Sequence, residues 1–164
     1  MDEPERPDGR DPDPGPDAEE TAYDLLQRGQ TLLAGRHHAQ AAIVLERADR
    51  LESGKASILE ALGRAYFNSG QHELARATFE RLLDLDPSAH YAHFAMGQSL
   101  KKLGRREEAG THLRLAVALS PGTELYAGAL ARLGPEARPR RAGPPATPPE
   151  PRRHAPGGEE STSG

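Results

Sequence analysis

The chain has 164 residues with 17 glycines, 15 prolines, no cysteine and a formal net charge of −4. The absence of cysteine excludes disulfide bonds, thiol catalysis and cysteine metal sites. No apolar run approaches the roughly 18 residues that a membrane helix needs, and residues 1–4 lack the basic and apolar regions of a secretory signal. We therefore expect a cytoplasmic protein without membrane insertion, and the dominance of arginine over lysine suggests a bacterial genome.

Residues 1–17 form an acidic arm rich in proline and aspartate. Over residues 1–20, nine acidic side chains stand against two arginines, a balance that favours disorder. We predict a disordered segment here. It is either a solvated leader or an arm that docks on a basic partner or covers a groove in the centre of the chain.

Residues 18–134 carry amphipathic helical patterns, with apolar residues at i, i+3/i+4 and i+7. We predict that the first helix starts with Asp17 as N-cap and Glu20 as its capping-box partner, and ends near Ala34. Its apolar anchors are Leu25, Leu26, Leu32 and Leu33. Later helices are predicted over about 38–51, two within 56–89, and then over about 88–103, 106–119 and 123–133.

The pair within 56–89 is the clearest. Its first run places Ile58, Leu59, Leu62 and Tyr66 on one face, and its second run places Leu74, Ala75, Phe79, Leu82 and Leu85 on another. Asn68-Ser69-Gly70 separates the runs as a turn, and Asp86-Pro87 ends the second. So short a pair cannot bury two apolar faces alone, and we expect it to stack on neighbours.

The pattern recurs with a period of 34 residues, which indicates a repeat array. Gly63 matches Gly29 and Gly97, Ala75 matches Ala41 and Ala109, Phe79 matches Leu45 and Leu113, and Leu85 matches Leu51 and Leu119. Glycine on one helix and alanine on the other allow two antiparallel backbones to approach closely, and the large residues fill the space beside that crossing. The repeats span about 22–55, 56–89 and 90–123.

These residues resemble the tetratricopeptide repeat family. The middle copy carries Leu62, Gly63, Tyr66, Gly70, Ala75, Phe79 and Pro87, and the third carries Met96, Gly97, Leu100, Gly104, Ala109 and Pro121. In the first copy the turn glycine, Gly35, comes one residue early, and the final proline is absent. The resemblance implies an all-α, right-handed α-solenoid of three helix-turn-helix repeats with disordered tails.

A seventh helix, over about 123–133, would cover the last apolar face of the array. We expect Leu125, Ala129, Leu130 and Leu133 to face inward. The tail at 135–164, rich in proline, arginine and glycine, is predicted to be disordered. It is either a linker or a polyproline ligand for an SH3-like or WW-like partner.

The chain carries no glycine-rich phosphate loop, nucleophile elbow or zinc-protease motif, so we expect no enzyme and no cofactor. His90 and His93, at i, i+3, could share a metal, but no third ligand lies nearby in sequence and we predict no metal site. His38 and His72 occupy equivalent positions, where the family prefers an aromatic ring, and are expected to pack.

Nucleic-acid binding is not expected, because residues 21–134 are close to neutral and the N-terminal arm is acidic. One basic cluster consists of Lys101, Lys102, Arg105 and Arg106. It is either a solvated helix end that suits the helix dipole or an anchor for an acidic or C-terminal carboxylate group.

The resemblance also implies a concave groove lined by the first helix of each repeat, where the family typically binds peptides. By position, the groove residues are Tyr23, Leu26, Gln27 and Gln30, then Glu60, Arg64, Phe67 and Asn68, then Tyr91, Phe94, Gln98 and Lys101. The alternative is an ordinary solvated face. Members that clamp the C-terminal carboxylate of chaperones use charged or amide residues at positions that here are Leu26, Gln30, Ala61, Tyr91 and Ala95, so that clamp is rejected.

We therefore predict a non-catalytic protein-interaction module or adaptor that binds a peptide or partner helix in its groove. The alternative is a structural subunit that self-associates, or docks in a larger complex, through its outer face. A monomer is favoured, and the sequence does not identify the partner.

Overall fold

In the computed structural model, residues 20–135 are described, and they contain seven α-helices. The helices are α1 (Ala22–Ala34), α2 (His38–Leu51), α3 (Ala56–Asn68), α4 (His72–Leu85), α5 (His90–Lys102), α6 (Arg106–Leu119) and α7 (Glu124–Leu133). The predicted acidic arm and the proline-rich tail lie outside the described residues, apart from Pro135.

Helices α1 and α2, α3 and α4, and α5 and α6 form three pairs, called here the first, second and third repeats. Each second helix packs on the first helix of the next repeat, and α6 packs on α7. The first helices also contact one another in the order α1, α3, α5, α7, so they share one face. Residues 20–135 form an all-α solenoid, as predicted.

The N-terminal cap of α1 differs from the prediction. Thr21 is the N-cap: its hydroxyl accepts a hydrogen bond from the Asp24 amide at 3.2 Å, and the Thr21 amide donates to Asp24 Oδ2 at 3.0 Å. These hydrogen bonds from Thr21 lower the pKa of Asp24. Asp17 lies outside the described residues, and Glu20 precedes the helix and pairs with Arg28 and Arg47 instead. Thr21 and Asp24 have the same spacing as Asp17 and Glu20, so the sequence contains two capping-box patterns that could start α1.

The helix crossing within each repeat is as close as the small residues indicated. A Cβ atom on Gly63 would lie 2.7 Å from the ring of Phe79, and one on Gly97 would lie 2.7 Å from the Leu113 side chain. Ala75 is fully buried at the same crossing. In each repeat a large apolar side chain therefore packs directly against a glycine of the other helix.

The second repeat is joined to the first by polar contacts as well as by packing. Tyr66 donates a hydrogen bond to Glu46 at 2.7 Å, and Arg81 makes a two-pronged ion pair with Asp49 at 2.8 and 3.0 Å. Burial, with the Glu46 carboxylate beside it, raises the pKa of Tyr66. Bidentate pairs of this kind hold the two repeats in a defined register.

Some leucines expected to be buried are exposed. Leu74, Leu85 and Leu125 have exposed fractions of 47%, 53% and 55%. Leu85 is the last residue of α4, and Leu125 lies on a helix that packs on one side only within residues 20–135. Within the same residues, no helix combines the length and apolarity that crossing a membrane requires.

The turn within the first repeat places an arginine where the other repeats use glycine. Gly70 and Gly104 have φ angles of 83° and 79°, and the equivalent Arg36 has φ of 62°, whereas Gly35 has φ of −76°. Gly35 comes one residue early, as noted in the sequence, and the left-handed position falls on the following residue, Arg36. A non-glycine residue in this region carries backbone strain.

Arg36→Gly is therefore expected to raise the free energy of unfolding by about 0.5–1 kcal/mol, since glycine adopts this φ without strain. Urea unfolding followed by circular dichroism measures the change. Gly70→Arg is the reciprocal control and should lower stability by a similar amount. Equal stability of Arg36→Gly and the parent protein would contradict the strain at this turn.

Candidate functional site

A pocket of about 190 Å³ opens between α3 and α5, on the face shared by the first helices. Its lining residues are Arg64, Phe67 and Asn68 of α3, Phe79 of α4, and Tyr91, Phe94, Ala95 and Gln98 of α5. Six of these belong to the predicted groove set: Arg64, Phe67, Asn68, Tyr91, Phe94 and Gln98. The 3.6-residue period brings the α5 members to one side of that helix.

Aromatic rings form the floor and one wall of the pocket. Phe79 meets Tyr91 edge-on with ring centroids 6.4 Å apart, and Tyr91 lies 6.3 Å from Phe94. Phe94 stacks on Tyr126 of α7 at 4.9 Å, and the Tyr126 hydroxyl lies 2.9 Å from His90 Nδ1. Rings from α4, α5 and α7 thus support one another, which favours a preformed surface.

Sequence reasoning placed Phe79 in the core and missed Tyr126. Phe79 is indeed almost completely buried, and its ring edge nevertheless lines the pocket. Tyr126 is 4% exposed and is the only aromatic residue of α7, a signal that could have marked it as the end of the ring series. The prediction for α7 was based on its leucines and left the tyrosine out.

Polar groups surround the pocket without closing it. Arg64 is exposed, and the ion pairs within residues 20–135 do not include it. Asn68 and Gln98 contribute amides that can donate and accept hydrogen bonds. Burial raises the pKa of the Tyr91 hydroxyl, and the nearby Arg64 cation opposes that effect. Tyr91 is therefore a neutral donor at physiological pH.

The remaining predicted groove residues do not line this pocket. Tyr23, Gln27 and Gln30 are exposed on α1, which adjoins α3 on the same face. Glu60 is exposed one turn before Arg64, and Lys101 is half-buried in the last turn of α5. Leu26 was also expected to face the groove, but only 6% of it is exposed, so it belongs to the core.

The histidines considered for a metal site bind other partners. His90 contacts Tyr126, whereas His93 contacts His112 and the carbonyl oxygen of Pro87. His72 packs its ring 5.3 Å from that of Phe67. Residues 20–135 contain no cluster of three or more histidine and carboxylate side chains that could hold a metal ion.

The basic cluster at the end of α5 is partly used inside the protein. Arg105 pairs with Glu108 at 2.6 Å, and the Arg106 guanidinium donates to the carbonyl oxygen of Leu133 at the end of α7. Lys102 is exposed beside them. Two of the four cations therefore have partners inside the protein, and Arg106 links α6 to the end of α7.

The sequence profile of the tetratricopeptide repeat matches residues 60–124, which contain most of the second and third repeats. Residues 60–124 therefore match tetratricopeptide repeats. The three helix pairs and α7 have the arrangement of three repeats and a covering helix that the motifs indicated.

Solved structures of tetratricopeptide repeat proteins have the same fold. The first such domain of Spaghetti (RPAP3), bound to an HSP90 peptide, aligns with a TM-score of 0.66 and 17% identity over 69% of this chain and 90% of that one. The Arabidopsis OM64 domain gives 0.66 and 20%, over 68% and 93% of the two chains. YrrB, a tetratricopeptide repeat protein described as having an unusual peptide-binding site, gives 0.66 and 22%, over 68% of this chain and 58% of its own.

Proposed function

We propose that this tetratricopeptide repeat array is a non-catalytic protein-interaction module that binds a peptide or partner helix along its first helices. The pocket between α3 and α5 is the observation that carries the proposal, because it gathers six predicted groove residues around aromatic rings. Aromatic side chains contribute large contact areas at interfaces, and they dominate the binding energy of many of them. Its volume of about 190 Å³ suits one large apolar side chain of the partner.

The groups around the pocket indicate the chemistry of the partner segment. An apolar side chain would enter between Phe67 and Phe94, and the amides of Asn68 and Gln98 would bind the backbone of the segment. Arg64 would pair with a carboxylate close to the apolar side chain. The partner is therefore proposed to combine an apolar anchor with an acidic residue.

The two terminal segments of this chain do not fit that description. Neither residues 1–19 nor residues 136–164 contain valine, isoleucine, leucine, phenylalanine, tyrosine or tryptophan. The acidic arm could supply a carboxylate, but it offers no branched or aromatic anchor for the pocket. This composition favours another protein as the source of the bound segment.

Two of the similar structures support peptide binding in general. The Spaghetti domain is bound to an HSP90 peptide, and YrrB has an unusual peptide-binding site. The clamp positions in this chain argue for a different ligand, since Leu26, Ala61 and Ala95 are buried and apolar. We propose recognition through an internal apolar anchor instead of a C-terminal carboxylate.

Arg64→Glu tests the proposal with peptides selected on the intact chain from a display library of random 12-residue sequences. Loss of a charge-assisted hydrogen bond costs about 1.5–3 kcal/mol, so we expect binding to weaken about 10- to 100-fold. Fluorescence anisotropy measures the affinity, and circular dichroism checks that the variant is folded.

Arg50→Glu is the matched control, because Arg50 is exposed on α2, away from the pocket, and should leave binding unchanged. Selected peptides that bind the folded Arg64→Glu variant as tightly as the parent would refute binding at this pocket.

Self-association through the outer face stays the alternative prediction, and a molar mass that grows with concentration in light scattering would favour it. The cytoplasmic, bacterial setting is proposed on sequence grounds alone.

A further inference from the structure

Two histidines meet inside the third repeat. His93 of α5 is 7% exposed, and its Nδ1 atom lies 3.0 Å from Nδ1 of His112 on α6. The other ring nitrogen of His93, Nε2, lies 2.9 Å from the carbonyl oxygen of Pro87, in the loop before α5. The pair therefore connects both helices of the repeat to the loop that precedes them.

The hydrogen bonds define where the protons are. A carbonyl oxygen only accepts, so Nε2 of His93 carries a proton and donates it to Pro87. In the neutral imidazole the other nitrogen of His93 is then an acceptor, and Nδ1 of His112 must be the donor. Each ring of the neutral pair thus has one assigned proton.

This arrangement accommodates one additional proton but not two. The first can bind Nε2 of His112, which leaves the contact between the two Nδ1 atoms intact. A second would have to bind Nδ1 of His93, where it would face the proton on Nδ1 of His112 at 3.0 Å. It would also place two cations side by side in a buried site, which is unfavourable.

The charged groups around the pair do little to stabilise a second additional proton. Glu108 of α6 and Glu80 of α4 favour the cationic form of His112, but they are already paired with Arg105 and Arg76. Asp86 in the preceding loop is the acidic neighbour of His93. Burial, reinforced by His93, lowers the pKa of His112 despite these carboxylates.

The repeat architecture does not require histidine at either position. The 34-residue period aligns His93 with Leu25 and Leu59, and it aligns His112 with Val44 and Thr78. In the first two repeats these positions thus hold side chains that do not titrate. The histidine pair is a feature of the third repeat within the array.

We propose that the His93–His112 pair is an acid-sensitive switch that loosens the third repeat when the pH falls below neutral. In the unfolded chain both imidazoles take up a proton near pH 6.5, whereas the hydrogen bonds of the folded pair leave room for only one additional proton. Stability is therefore present above that pH and is lost as the pH falls. Tyr91 and Phe94 lie on the same helix as His93, so acidification also disorders the wall of the pocket.

The test compares the full chain with the double variant His93→Leu/His112→Thr, which copies the second repeat. Urea unfolding is measured at pH 7.5 and pH 5.0. Each proton that the unfolded chain binds in excess raises the unfolding equilibrium constant about tenfold per pH unit below about pH 6.5. Between these two pH values we expect an increase at least tenfold larger in the parent protein than in the variant.

Hydrogen exchange locates the effect, and it uses the unmodified protein. At pH 5.0 the amides of α5 and α6 should lose protection, corrected for the intrinsic exchange rate, while those of α1 and α2 keep it. Equal pH dependence of parent and variant would overturn the proposal. So would uniform loss of protection along the array, or a His93 ring doubly protonated at pH 5.0 in the folded state by ¹⁵N NMR.

Discussion

Phe79→Ala is expected to lower the free energy of unfolding by about 3–5 kcal/mol, the usual cost of removing a buried phenylalanine. The Phe79 side chain is 1% exposed and lies against Gly63 at the centre of the second repeat. Because that repeat lies between the other two, the cavity would weaken the contacts of α4 with both α3 and α5. A loss this large is a sizeable share of the stability of a small domain.

Equilibrium unfolding in urea gives the size of this loss. Leu85→Ala is the control, because Leu85 belongs to the same helix but is 53% exposed, and its removal should cost less than about 1 kcal/mol. If Phe79→Ala costs no more than Leu85→Ala, the second repeat does not depend on this crossing, and the packing described for it is wrong.

The fold was predictable because the scaffold residues recur with one period. Gly63 and Phe79 identified the close crossing before any coordinates, since a glycine and a large apolar residue recur there in each repeat. The start of the first helix was harder to predict. Asp17 and Thr21 each offered a capping-box start, and local spacing alone could not choose between them. Ala22 is the first buried residue in the part of the chain that the structure describes, and Thr21 directly before it forms the cap.

Burial on the outer side was mispredicted for a different reason. A helical period shows that residues share a face, but it does not show whether a neighbouring helix covers the whole of that face. Leu85 and Leu125 follow the apolar period and still lie half exposed, because no described helix packs over them. Whether such a face is covered depends on how the repeats stack.

The sequence predicted which residues of the candidate site share a face, but it did not predict the pocket. The period assigned Arg64 and Tyr91 to the same face, but a pocket forms only where bulky rings of adjacent helices leave a gap. On α1 the 34-residue period aligns Gln30 with Arg64 and Tyr23 with Tyr91, and neither residue lines this pocket. The His93–His112 contact joins residues 19 positions apart on two helices, so no local pattern marked it. The sequence marks these positions only through the repeat alignment, in which His93 corresponds to Leu59 and His112 to Thr78.

Gly63→Leu should destabilise the protein by the opposite mechanism, overpacking. A Cβ atom at position 63 would already approach the Phe79 ring to 2.7 Å, and this ring is 1% exposed, with only its edge lining the pocket. Helix propensity favours leucine over glycine by somewhat under 1 kcal/mol, but forcing side chains into a filled core costs typically 1–3 kcal/mol and sometimes more. We therefore expect a net loss of about 1–3 kcal/mol in the free energy of unfolding.

Gly128→Leu is the matched control for that prediction. A Cβ atom at Gly128 would meet the tip of the Arg132 side chain at 3.0 Å, a flexible end that can move aside. We expect its effect to stay within about 1 kcal/mol, with helix propensity favouring the variant. Equal losses at the two glycines would show that the change of residue type, and not the crossing, sets the cost.

The double variant Gly63→Leu/Phe79→Ala separates the two mechanisms. Removal of the Phe79 ring leaves space beside position 63, and the leucine side chain can occupy part of it. The combined loss of unfolding free energy should therefore be smaller than the sum of the single losses by about 1–3 kcal/mol, as for residues in direct contact. Strict additivity would mean that the two positions do not pack on each other. It would remove the physical basis for the glycine that recurs in every repeat of this array.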